Sequence, residues 1–95
     1  MNLTGKEKRN LRALGNRLKA EIIIGKDGIY EGTFQSLENS FNTKELVKIK
    51  LLETSPIDKK EAAQQLASRS HAEIVQILGN TILLYRKFPP NTEKA

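Results

Sequence analysis

Hydrophobic positions change their spacing along the chain, and each spacing names an element. Leu11, Leu14 and Leu18 recur at i, i+3 and i+7, within about 60° of one another on a helical wheel, and define the buried stripe of a helix expected over about 5–19. Thr4 and Glu7 have the Thr-x-x-Glu spacing of a capping box, which starts that helix. Glu21-Ile22-Ile23-Ile24 is too short and too β-branched for a helix and ends at Gly25, so it reads as a strand buried on both faces. Tyr30, Phe34, Leu37 and Phe41 then fall on one stripe of a helix expected over 30–41 and ending near Asn42. Core packing accounts for these three aromatic rings.

From Glu45 to Leu52 the period changes to two, with Val47, Ile49 and Leu51 on one side and Lys48 and Lys50 on the other, which predicts a strand with one apolar face. Thr54-Ser55-Pro56 stops it. Asp58 and Glu61, followed by Ala62, Ala63, Leu66 and Ala67, predict a capped helix over 58–69. Strands over 73–78 and 81–87 follow, joined at Gly79-Asn80, a two-residue hairpin signal. The expected order is α-β-α-β-α-β-β. Strands separated by helices require crossovers and a final hairpin adds an antiparallel pair, so the fold class is α/β, of the two-layer α+β type, with a mixed four-stranded sheet and three helices. One domain is expected over 1–88, with a flexible tail over 89–95 that holds two prolines and little to bury.

Charge changes this picture more than composition does. The formal net charge is +5. Residues 1–26 carry Lys6, Lys8, Arg9, Arg12, Arg17, Lys19 and Lys26 against only Glu7 and Glu21, while the remaining residues are balanced at nine basic and nine acidic. The whole surplus therefore belongs to the first segment, where a polyanion would be met. On the wheel of the first helix, Lys8, Arg9, Arg12, Asn16 and Lys19 fill an arc beside the leucine stripe. The absence of cysteine removes disulfides, thiolate zinc sites and nucleophilic thiols, and points to a reducing compartment, with the cytoplasm expected. The longest apolar runs, 22–24 and 82–85, are far below the roughly 18–20 residues of a membrane-spanning helix. Neither export nor a membrane partner is expected, because the first residues run directly into a charged segment.

Gly25-Lys26-Asp27-Gly28 lies between an expected strand and an expected helix. Glycines allow close approach of a ligand, a helix start presents unpaired amides and a positive dipole end, and Lys26 adds a mobile charge, a set of donors that suits a phosphodiester. Taken alone, the tetrapeptide is a weak signal that reads first as an ordinary strand-to-helix turn. It lacks the spacing and the Lys-Ser/Thr pair of a nucleotide P-loop. With Tyr30, Phe34 and Phe41 assigned to the helix stripe, only Tyr85 and Phe88 remain as aromatic platforms. Recognition of the backbone or shape of structured RNA is therefore expected in preference to base stacking.

No catalytic constellation emerges. The lone histidine, His71, sits at an expected strand start without an assignable partner, and the spacing of Asp58 and Glu61 is explained by helix capping. No enzyme activity, cofactor, metal or small-molecule substrate is expected.

Several landmarks occur in order: Leu3-Thr4-Gly5-Lys6 with Arg9 and Leu11-Arg12; Ile24-Gly25-Lys26-Asp27-Gly28-Ile29; Glu45-Leu46-Val47-Lys48-Ile49-Lys50; Val75-Gln76-Ile77-Leu78-Gly79; and Leu84-Tyr85-Arg86. Over residues 3–87 the chain resembles the CRM domain, the chloroplast RNA splicing and ribosome maturation family, in its stand-alone bacterial YhbY-like form. The resemblance implies a fold similar to the carboxy-terminal domain of translation initiation factor 3 and association with ribosomal RNA in large-subunit (50S) precursors. It also implies a functional glycine loop at Gly25, Lys26, Asp27 and Gly28, and a basic first helix at Lys6, Lys8, Arg9 and Arg12. Where family members often carry a His and, four residues on, a Pro, this chain has Asn16 and Ala20, and Ile23 replaces a frequent Gln. Asn16 can still donate to a phosphate or ribose, and Lys19 lies beside it. The expectation is a monomeric ribosome assembly factor; the alternatives are a protein-interaction module docking on a ribosomal or regulatory protein, and an RNA-processing enzyme.

Overall fold

The computed structural model describes residues 3–88, so the tail expected over 89–95 lies outside the described residues. Seven elements follow in the expected order: α1 (Gly5–Gly15), β1 (Ile22–Ile24), α2 (Glu31–Thr43), β2 (Leu46–Leu51), α3 (Lys59–Ser70), β3 (Glu73–Leu78) and β4 (Thr81–Tyr85). The strands form one mixed sheet in the order β1-β2-β4-β3, parallel between β1 and β2 and antiparallel elsewhere.

The alternation in β2 determines which face is the core. Val47, Ile49 and Leu51 point with Ile22, Ile24, Ile82 and Leu84 into one apolar cluster, closed by Leu37 and Phe41 of α2 and by Ala62, Ala63, Leu66 and Ala67 of α3. Alanines on α3 let its backbone approach the sheet closely. Asp58 caps α3 as expected, its carboxylate accepting from the Lys60 and Glu61 amides at 3.1 and 3.4 Å. Leu78 pairs with Thr81 across Gly79-Asn80, and Gly79 takes φ +58 while Asn80 does not enter the left-handed region, the pattern of a two-residue hairpin with glycine first.

In β3 the register shifts between Ile74 and Gln76, so Val75 is an extra residue. This bulge lets Ile74 and Ile77, three positions apart, both pack against the core, which uninterrupted alternation forbids.

Three expectations are corrected. The first helix stops at Gly15 rather than continuing to about 19, and the chain tightens into i→i+3 turns from Arg17 to Leu14 and from Leu18 to Gly15. Leucines 14 and 18 are not its buried stripe: Leu14 is 56% exposed, and Gly15 is the only buried residue of α1. The reason is that α1 packs on the outer face of the sheet, against β2 and β3, by placing Gly15 on Leu83. Secondly, β1 is buried on one face only, with Ile23 60% exposed, because it is an edge strand that α1 leaves uncovered. Thirdly, His71 does not start a strand; it is the left-handed C-cap of α3, at φ 58.

Candidate nucleic-acid interface

The glycine loop is a closed turn at the end of β1. The Gly28 N–H donates to the Gly25 carbonyl at 3.0 Å, which lifts Lys26 and Asp27 into solvent at the tip. Gly28 holds φ +66, a region that costs a side chain about 1 kcal/mol or more. It is also buried: a Cβ there would stand 3.1 Å from Pro56 Cγ. The clearance at Gly28 is thus taken by Pro56, and its lack of a Cβ serves the turn itself. At Gly25 an added Cβ would make only an ordinary contact, 3.5 Å from Leu52.

Helix α2 begins three residues beyond Gly28, with Tyr30 as its N-cap. A tyrosine has no oxygen placed to cap its own helix. Thr33 Oγ1 instead accepts from the Tyr30 N–H at 3.3 Å, and among the described residues no acceptor meets the amides of Glu31 and Gly32. The assignment of Tyr30 to the buried stripe fails here. Leu37 and Phe41 are fully buried and Phe34 is half-buried beneath the Arg69 guanidinium, 4.0 Å from its ring centre, but Tyr30 is 59% exposed. Its extended backbone places it before the first helical turn, so helical periodicity does not govern its direction.

Six of the seven cations of residues 1–26 are distributed along α1 and the turn after it, and the seventh, Lys26, is in the glycine turn. Lys6 and Arg9 are exposed and Lys8 and Arg12 half-buried on α1; Asn16, its C-cap, and Arg17 and Lys19, beyond its end, are exposed. Both acids of the segment are engaged elsewhere. Glu7 Oε1 accepts from the Thr4 N–H at 2.8 Å while Thr4 Oγ1 accepts from the Glu7 N–H at 3.1 Å, completing the capping box. Glu21 accepts from Ser40 at 2.9 Å and from Lys44 at 3.0 Å. Among the described residues none of the seven cations of residues 1–26 is in an ion pair, whereas Lys44, Arg69 and Arg86 all are.

The loop and the cations of α1 do not form a single cluster. The first turns of α1 lie beside Tyr85, whose hydroxyl is pushed to higher pKa by burial and then by Glu45 and Glu7. Its last residue lies beside Lys48, whose Nζ donates to the Gly15 and Leu18 carbonyls at 3.3 Å each and satisfies the open helix end. Glu21 pairs at the level of Lys48, and β1 then runs about 10 Å to the glycine turn. Between them, on the same outer face, lies exposed Lys50, paired in register with Ile23. By their alternation alone, Lys48 and Lys50 are only the polar side of a strand. Alternation supplied the side, but that α1 crosses this face is a tertiary fact.

The model of the CRS1 / YhbY (CRM) domain matches residues 3–86. The chain belongs to the CRM domain family. It is 35% identical over 96% of its length to a Pseudomonas aeruginosa protein named a probable RNA-binding protein, covering 88% of that relative. It is 33% identical to the probable RNA-binding protein YqeI of Bacillus subtilis, over 96% of this chain and 95% of the relative. The solution structure of a Staphylococcus aureus protein described as a candidate RNA binder superposes on this CRM domain with a TM-score of 0.79, at 37% identity, covering 97% and 96% of the two chains.

Proposed function

We propose that this CRM domain binds structured RNA as a non-enzymatic module, and that its ligand is ribosomal RNA in large-subunit precursors, which it serves as a cytoplasmic, monomeric assembly factor. One observation carries the RNA reading. The seven cations of residues 1–26 stand without acidic partners among the described residues, because Glu7 is held in a capping box and Glu21 is held by Lys44 and Ser40. Six of them, Lys6, Lys8, Arg9, Arg12, Arg17 and Lys19, lie on α1 and the turn after it, a basic stretch that a polyphosphate meets best. The names of the Pseudomonas and Bacillus relatives support the same ligand class. The glycine turn adds Lys26 and the open amides of α2 as further phosphate donors.

Titration of a large-subunit ribosomal RNA fragment at increasing salt tests the reading. A phosphate-dominated complex weakens steeply, with a slope near 0.9 per neutralised phosphate on duplex nucleic acid. A flat response would indicate a protein partner. Crosslinking in cells followed by sequencing of the attached RNA tests the finer assignment, which recovery of mainly messenger or transfer RNA would overturn.

A further inference from the structure

We propose that Tyr30 is a stacking platform, so that the RNA taken at the glycine loop presents an unpaired base there rather than a continuous duplex. This inference rests on the RNA-binding reading and adds the class of nucleotide that the loop selects. It starts from the side chain that left the core. Tyr30 stands in the same short segment as Lys26, its ring largely in solvent, and an aromatic face next to a phosphate contact is the arrangement by which proteins hold single bases.

The ring is also held in place. It lies across Gly32 in the first turn of α2, where a Cβ would come within 2.6 Å of Tyr30 Cε2. Gly32 has no Cβ, and the ring occupies the space that one would fill. Exposed Leu52 and Pro56 flank the turn on the Gly25 and Gly28 sides and make it an apolar shelf beside a lysine. Of the acids nearby, Glu31 is drawn to Arg69 at 3.4 Å, and Asp27 and Glu53 are exposed to solvent. Lys26, four positions before the ring and exposed at the tip of the turn, supplies the cation that a nucleotide phosphate would use and an apolar peptide would not.

The test compares two RNA probes, a hairpin whose adenosine loop carries a fluorescent aminopurine and a fully paired duplex of the same length. The parent chain should bind the hairpin more tightly and quench the aminopurine. Tyr30→Phe should bind like the parent. Tyr30→Ala should bind the hairpin roughly 5- to 150-fold more weakly, the loss expected for one stacked base, while its duplex affinity stays unchanged. Gly32→Ala should show the same selective loss although its melting temperature is equal or higher, which separates ring placement from folding. If Tyr30→Ala and Gly32→Ala bind the hairpin as the parent does, the platform is overturned and the RNA reading stands. If the parent binds neither probe, both are overturned.

Discussion

Gly15 lies on Leu83, so close that a Cβ built on the glycine would overlap Leu83 Cδ2 and reach within 2.9 Å of Cδ1. This contact seats α1 on the outer face of the sheet.

Replacing Gly15 tests that seating. In an isolated helix, alanine is favoured over glycine by about 1 kcal/mol. Here Gly15→Ala should destabilise the fold by roughly 1–3 kcal/mol, the usual cost of overpacking. Denaturant titration of the variant and of the double variant with Leu83→Ala checks the cause: the single changes should couple, because Leu83→Ala makes room for the new methyl.

At the loop, two substitutions should fail in different ways. Lys26→Ala leaves the turn intact and should weaken RNA binding by about 1 kcal/mol while lowering the salt slope by nearly one unit. Gly28→Asp strains the fold as well, since it forces a side chain to φ +66 against Pro56. Its melting temperature should fall. Parallel thermal melts and RNA titrations distinguish the two, and a normal melt for Gly28→Asp would contradict the geometry.

His71 caps α3 at φ 58, where a residue with a Cβ is strained. His71→Gly should therefore stabilise the domain, by roughly 0.5–1 kcal/mol. An unchanged or lower melting temperature would mean that the imidazole makes a compensating contact.

Arg86 grips Glu38 with two hydrogen bonds of 2.9 Å, donates to the Ser70 carbonyl at 3.0 Å and lies over the Phe41 ring. Its hydrogen bond, then its charge and that of His71, hold the Glu38 carboxyl below the usual carboxylate range against the opposing effect of burial. A depressed folded-state pKa contributes stability above the unfolded value and loses it as pH falls through the folded one. Glu38→Gln should thus lower stability at neutral pH by less than about 1 kcal/mol, since the pair is partly exposed, and the difference from the parent should vanish in acid. Urea titrations at neutral and acidic pH measure both limits.

How much of this was legible in the chain depends on the range of the interaction involved. Element order followed from periodicity, because the alternation of Val47, Ile49 and Leu51 and the spacing of Leu37 and Phe41 express which face each element must bury. Caps at Thr4 and Asp58 were equally local, each set by a side chain and amides two or three residues away. The concentration of positive charge before residue 27 was countable.

Other features depended on residues far apart in the chain. The leucine stripe of α1 pointed to burial that the tertiary structure assigned to Gly15 instead, since the helix docks through backbone proximity to Leu83, sixty-eight positions later. Ile23 looked interior until β1 proved to be an edge strand, and Ile74 and Ile77 share a face only through a bulge. Tyr30 fitted the stripe of α2 by spacing, yet stands outside its first turn. Sequence determines what each segment would bury, but packing decides whether a neighbour arrives to cover it, and at Tyr30 none of the described residues does so fully.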